Sequence, residues 1–262
     1  SLHDVLPIWA AKRFTAHAKQ SGFTASSAEV RFGGPEGLPP VVLRLQDGRV
    51  IALRGVIDRI DRWQGDDGLY LRVVDYKSSD HKLEPLRMFY GLQLQLILYL
   101  LAASQGERGV PAGAYYFTVR DPLVNAEDDL KETAERALAE TLRLQGVTLA
   151  EVEVIRAMNG EEGPAIISKV LNKNGAIAAN SMGTDRPGMQ SLMEHSRLTA
   201  QGLAEGIFSG DIGIRPARID NWTACQYCSY AAICGWDSRL PRAEPRDLEA
   251  DDPWALMTQP NP

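Results

Sequence analysis

The sequence has no apolar stretch approaching the roughly 20 residues that a membrane-spanning helix needs, so no helical membrane anchor is expected in it. Cysteine is scarce: Cys225, Cys228 and Cys234 are the three in 262 residues, and all fall inside one ten-residue stretch. A disulfide framework uses an even number spread along the chain, so that class is set aside. The C-x2-C start points instead to a metal or cluster site in a reducing, cytoplasmic compartment. No GxxxxGK[ST] phosphate loop occurs, which excludes an ATP-driven motor within this stretch. The leading Ser1-Leu2-His3-Asp4 holds no initiator Met, basic region or apolar region, so no signal peptide is visible and the stretch reads as the middle of something longer. Basic excess is missing too, and a formal charge of −6 argues weakly against a polyanionic partner. That deficit is local. Residues 1–120 carry 15 Lys and Arg against 12 Asp and Glu, whereas the remainder carries 13 against 22.

What is present fits one sizeable core with extensions. Residues 4–20 space their apolar positions as a helix does. The β-branched runs Val41–Leu45 and Val50–Ile60 flank Gln46-Asp47-Gly48, a strong hairpin signal, and Asp66-Asp67-Gly68 precedes a third strand over 69–75. Pro85 to Ala103 is apolar nearly all round with Pro near its first turn, as in a buried helix, and Gly113 to Val119 reads as a strand. The order is helix, three mostly antiparallel strands, helix, strand. Beyond it come an amphipathic helix over 126–145, loops and a short hairpin over 157–187, and a helix over 188–209 ended by Gly210. The acidic, Pro-containing tail from Pro241 promises little autonomous structure.

Charges inside the β-branched runs are the informative feature. Asp58 lies in Gly55-Val56-Ile57-Asp58-Arg59-Ile60-Asp61, and Asp75 and Lys77 lie in Val73-Val74-Asp75-Tyr76-Lys77. Charges on buried strands are costly unless paired or metal-bound. Strand side chains alternate, so Asp75 and Lys77 share a face, and pairing through the 66–68 turn brings Asp58 beside them. Two carboxylates at one spot suit Mg²⁺, a hard ion held by carboxylates, waters and substrate phosphate. The ion activates water and offsets charge on a scissile phosphate, and a neighbouring Lys orients the water or neutralises the transition state. Together these make a phosphodiester hydrolase site. The bland alternative is an Asp75–Lys77 surface ion pair with Asp58 paired to Arg59 or Arg62. Gln95 and Tyr99, four apart in Gly91-Leu92-Gln93-Leu94-Gln95-Leu96-Ile97-Leu98-Tyr99, share one helix face and need partners, either in the site or in the core. Arg59, Arg62, Arg72 and Lys82 are candidate phosphate contacts, and Tyr90 and Tyr116 candidate stacking faces for bases.

GVIDRID, VVDYKSS and GLQLQLILYL, in this order and spacing, resemble the RecB-type branch of the PD-(D/E)XK nucleases. The stretch from Thr223 to Asp237, with its three cysteines, narrows the likeness to the AddB-type nuclease domains of bacterial helicase–nucleases, supported by Glu29–Gly34, Leu38–Pro40 and Val154–Met158. The resemblance implies an α/β fold of restriction-endonuclease type, a mixed central sheet flanked by helices. It implies a nuclease core over 1–125, a helical and loop insertion over 126–215, a cysteine-cluster segment over 216–240 and a tail over 241–262. His3, Asp58, Asp75 and the carbonyl of Tyr76 match the branch's ligands for Mg²⁺ or Mn²⁺, Lys77 its catalytic lysine, and Gln95 with Tyr99 its helix motif. Asp61 reads better as a structural ion pair, and Glu29 as structural although it could approach the site.

In the resembled family three clustered cysteines and one upstream Cys hold a [4Fe–4S] cluster that staples the ends of the domain; here Cys225, Cys228 and Cys234 match the cluster but no Cys precedes them. Zinc with a His as fourth ligand is the alternative. The implied activity is hydrolysis of single-stranded DNA delivered by helicase motors, with an AddA-type subunit as partner in a heterodimer, during double-strand-break repair by homologous recombination. Competing readings are a free-standing CRISPR-associated iron–sulfur exonuclease, an inactive DNA-binding module and a cluster-bearing redox protein. The intact Asp58, Asp75 and Lys77 count against the second and the incomplete ligand set against the third.

Overall fold

The computed structural model describes residues 11–12, 14–79, 81–119, 140, 142–236 and 245–259. His3, residues 126–139 of the helix expected over 126–145, and Asp237 of the cysteine motif lie outside the described residues.

A helix over residues 14–20 (α1) leads into β1 (Thr24–Phe32), β2 (Val41–Arg44), β3 (Val50–Leu53), β4 (Gly55–Gly65) and β5 (Gly68–Lys77). Helices α2 (Pro85–Phe89) and α3 (Gln95–Glu107) carry the chain to β6 (Val110–Thr118). There follow β7 (Gln145–Leu149), α4 (Val152–Asn159), β8 (Gly183–Thr184) and α5 (Arg186–Phe208). The six-stranded sheet runs β1-β4-β5-β6-β7-β8, antiparallel except for β5/β6 and β7/β8. It is the mixed α/β sheet expected from the sequence.

The β4–β5 hairpin forms because Asp66 and Asp67 turn between paired Gly65 and Gly68. The parallel β5/β6 pair requires a crossover, and α2 with α3 supplies it. Helix α3 is apolar on most sides, and Leu96, Ile97, Leu100, Leu101, Ala102 and Ala103 are all buried. It packs on β5 and β6 and covers one face of the sheet. Each fully buried Leu or Ile there contributes roughly 1.5–3 kcal/mol. The opposite face carries Arg59, Asp61, Arg72 and Tyr115 and is covered by α1 and α4: Phe14 and His17 of α1 meet the rings of Tyr76 and Phe117, and the Tyr115 hydroxyl donates to Met158 Sδ of α4.

Several boundaries differ from the sequence reading. The run Val50–Ile60 divides at Arg54: β3 pairs with β2 in a separate hairpin, and β4 enters the main sheet. Gly55 makes that crossing possible, since a Cβ there would stand 2.7 Å from the Phe32 ring. The helix expected over 85–103 breaks at Gly91, whose φ of +81° is left-handed and whose Cα faces Thr199 of α5 too closely for a side chain. The 126–215 stretch is more than a helical and loop insertion, because β7 and β8 extend the central sheet. The tail is also better ordered than its composition suggested. β11 (Arg246–Asp247) pairs with β9 (Ala217–Ile219), which pairs in turn with β10 (Trp222–Thr223). The last helix (Pro253–Thr258) is capped by Asp252, whose side chain accepts from the Ala255 N–H at 2.9 Å, and it buries Met257. Among the described residues no helix is long and apolar enough to cross a membrane.

Candidate active site

The β4–β5 register Arg59↔Val74, extended by one pair, sets Asp58 opposite Asp75, and the parallel β5–β6 register sets Asp75 beside Tyr116. On the other side, Ala28↔Arg59 and Val30↔Ile57 bracket Glu29 opposite Asp58. Four neighbouring strands thus bring Glu29, Asp58, Asp75 and Tyr116 into one row. Glu29 is exposed and has a left-handed φ of +50°, an unusual state for a non-glycine strand residue.

Asp75 is 3% exposed, and Lys77 reaches it across two strand positions, with Nζ 2.5 Å from Oδ2. Lys77 is thus the cation that meets the buried Oδ2. Burial pushes the Asp75 carboxyl above its ordinary range; Lys77 pulls it back, the charge of Asp58 pushes it further up, and His81 opposes the rise. Asp58 is half-buried, and its Oδ2 accepts the Tyr76 N–H at 2.8 Å, which fixes the carboxylate against the neighbouring strand. Neither Arg59 nor Arg62 pairs with Asp58, so the bland alternative fails on that point: Arg59 pairs with Asp61, and Arg62 with Glu107.

On α3, Gln95 Nε2 donates to the Tyr99 hydroxyl at 2.8 Å. Tyr99 stands close enough to Tyr116 that, after burial and the Asp75 charge, it helps push the Tyr116 phenol up. The Lys77 ammonium stands 5.4 Å from the centre of the Tyr116 ring, and the His81 ring 5.9 Å from it. The structure therefore brings together Asp58, Asp75, Lys77, Gln95, Tyr99 and Tyr76, the last through its N–H. His81 is the addition that sequence reasoning missed. It lies in the polar loop after β5, where its one visible signal was its place four residues beyond Lys77.

Besides Arg62, four expected DNA contacts are engaged elsewhere or buried. Arg59 and Arg72 are buried on the opposite face, where both donate to Asp61, Arg72 Nε at 2.7 Å. Burial works against the Asp61 charge, yet the two arginines outweigh it and hold the carboxyl below its ordinary range. Asp61 is the structural ion pair expected of it. Tyr116 is 5% exposed, too buried to stack on a base, and Tyr90 donates its hydroxyl to the Glu249 carbonyl. Lys82 remains exposed.

The donor set suits a hard, oxygen-preferring cation: two carboxylates, one fixed by a backbone N–H and the other buried and paired with Lys77. Among the described residues no three His, Cys, Asp or Glu side chains are arranged as a metal-binding group, so the described chain brings these two carboxylates to such an ion. Cys225, Cys228 and Cys234 are free thiols on a 3-10 turn (Ala224–Tyr227) and a short helix (Ala231–Cys234). Burial and then the charges of Cys228 and Cys234 push the Cys225 thiol up, so the three sulfurs share one locality.

The chain matches the PD-(D/E)XK nuclease superfamily over residues 2–235. It is 34% identical over 255 residues to an ATP-dependent helicase/deoxyribonuclease subunit, that of B type, from Acetivibrio thermocellus, covering 93% of this chain and 22% of that protein. It is 36% identical over 245 residues to the same-named protein of Bacillus subtilis, covering 90% of this chain and 21% of the relative. For that of Geobacillus kaustophilus the values are 37% over 245 residues, 88% and 21%. The chain spans about a fifth of the length of these relatives. With two adjacent strands presenting Asp58, Asp75 and Lys77 at one end of a mixed sheet, and a match over nearly its whole length, this chain belongs to the PD-(D/E)XK nuclease superfamily.

Proposed function

We propose that this chain is the Mg²⁺- or Mn²⁺-dependent DNA exonuclease domain of an AddAB-type helicase–nuclease, cutting single strands during double-strand-break repair by homologous recombination. The observation that carries the reading is the buried Asp75 carboxylate, ion-paired to Lys77 and opposite Asp58, so that two carboxylates meet one ammonium. Negative charge that one ammonium does not balance is costly to bury unless a further cation joins it.

In this reading Asp58, Asp75 and the Tyr76 carbonyl hold the ion, with His3 as a further ligand. When bound, the ion supplies Lewis-acid stabilisation of the phosphate and lowers the pKa of water. The Lys77 ammonium orients the attacking water and offsets negative charge growing on the phosphate oxygens. The Tyr99 O–H, freed by Gln95 acting as donor to its oxygen, donates to a phosphate oxygen and holds the strand in line. Water oxygen bonds to phosphorus, the bridging P–O bond breaks, and the leaving oxygen departs as an alcohol.

Cys225, Cys228 and Cys234 would supply three thiolates to a [4Fe–4S] cluster of structural role, although among the described residues they are not gathered as a metal-binding group and no fourth Cys occurs in this sequence. The relatives are named as B subunits of a helicase/deoxyribonuclease, which supports assembly with a second subunit; in this reading that is an AddA-type helicase partner in the cytoplasm. Incubation of the chain with linear single-stranded DNA tests the reading. Cleavage in Mg²⁺ or Mn²⁺ that stops in EDTA is expected; a folded chain that binds Mn²⁺ but never cuts, even with its helicase partner present, overturns it.

A further inference from the structure

The proposed reaction needs cations around the scissile phosphate, and most nearby candidates are committed elsewhere. Arg59 and Arg72 lie on the opposite face of the sheet with Asp61, and Arg62 pairs with Glu107. Lys77 remains, and one other side chain shares its platform. The His81 ring packs edge-on against the Tyr116 ring on which Lys77 also sits, and its charge is felt by Asp75. His81 is anchored through one nitrogen: Nδ1 lies 3.0 Å from the Ser79 hydroxyl and 3.1 Å from the Ser79 carbonyl. Among the described residues Nε2 has no partner. The ring is thus held by its Tyr116 edge and its Nδ1, close enough to the site to act electrostatically on Asp75.

We propose that His81 is a substrate-contacting residue of this site, its Nε2–H donating to a non-bridging oxygen of the scissile phosphate next to the one Lys77 neutralises. The proposal rests on the nuclease reading above. With Asp58 and Asp75 as the residues that would hold the cation, Lys77 takes one side of the phosphate and His81 closes the other. Ser79 matters through its hydroxyl: with that O–H donating to Nδ1, the ring proton sits on Nε2, the nitrogen offered to DNA. Three independent features place the ring: the ring contact, the Nδ1 anchor and the electrostatic effect on Asp75.

The test compares the wild-type chain with His81→Ala and His81→Gln, the latter restoring an N–H donor near the Nε2 position. Three quantities are read: Mn²⁺ affinity by calorimetry, binding of a fluorescent single-stranded oligonucleotide with Ca²⁺ in place of Mg²⁺, and kcat and KM for its cleavage with Mg²⁺. His81→Ala is expected to bind Mn²⁺ as the wild type does, while oligonucleotide binding and kcat/KM fall about tenfold to a hundredfold, the loss of one hydrogen bond to a charged group. His81→Gln recovers most of that loss. A wild type that cleaves and is matched by His81→Ala overturns this inference alone. Loss of Mn²⁺ binding in His81→Ala also overturns it, since His81 would then serve the ion. A wild type that binds Mn²⁺ yet neither binds nor cleaves the oligonucleotide overturns both this inference and the nuclease reading.

Discussion

The two faces of the β4–β5 hairpin are built from the same residue types and behave in opposite ways. On one face Arg59, Asp61 and Arg72 are buried together, and both carboxylate oxygens of Asp61 accept from guanidinium groups. Two of the Arg72 nitrogens lack hydrogen-bond partners, but its guanidinium lies 4.9 Å over the Phe23 ring. On the other face two carboxylates, Asp58 and the buried Asp75, confront one lysine. The first arrangement is closed and serves the fold. The second is short of positive charge, a deficit that a divalent metal ion would fill. Alternation along two strands produces both, because successive residues point to opposite sides.

The comparison can be broken most sharply on the open face. Asp58→Asn and Asp75→Asn are each expected to lower metal-dependent cleavage by roughly a thousandfold or more, about 4 kcal/mol in barrier, with the fold intact. Assays of kcat/KM alongside circular dichroism check this. On the closed face, Asp61→Ala strands two buried guanidinium groups and is expected to cost about 3–5 kcal/mol of stability, read from urea unfolding.

The pH dependence of stability should also differ in sign between the faces. The Asp61 carboxyl is held low in the fold, so its stabilisation is present above the ordinary carboxylate pKa and is lost as pH falls through its depressed value. The Asp75 carboxyl is held high in the metal-free chain. The fold therefore binds the extra proton, and stability declines as pH rises from the ordinary carboxylate pKa through the raised one. Unfolding of Asp61→Asn and Asp75→Asn against wild type across roughly pH 3 to 7 is expected to show these opposite slopes in the differences. The smallest effect expected is at Glu29, where replacement by Gly relieves a left-handed φ of +50° and changes stability by about 1 kcal/mol or less, in the stabilising direction. Thermal melts measure it.

Much of the site was legible because it depends on local rules. Asp75 and Lys77 share a face by alternation, Asp58 joins them once Asp66-Asp67 turns the hairpin, and Gln95 with Tyr99 follow helical spacing. What escaped depends on contacts distant in sequence. Arg59 and Arg72 looked like phosphate contacts until the register showed them paired with Asp61. The break at Gly91 comes from the approach of α5, more than a hundred residues later in the chain. His81 sits in a polar loop and acquires meaning only from the Tyr116 ring of a non-consecutive strand. The Asp252-Pro253 helix start was in plain view within the tail, but the acidic composition around it obscured the signal.

The most direct test of the division between the faces is one paired experiment: single-strand cleavage and urea unfolding measured together for Asp75→Asn and Asp61→Ala. The account predicts a crossed result, with Asp75→Asn folded and inactive, and Asp61→Ala markedly less stable yet metal-dependent in whatever fraction remains folded. An Asp75→Asn chain that cleaves DNA at the wild-type rate, or an Asp61→Ala chain of unchanged stability with no cleavage, would contradict it.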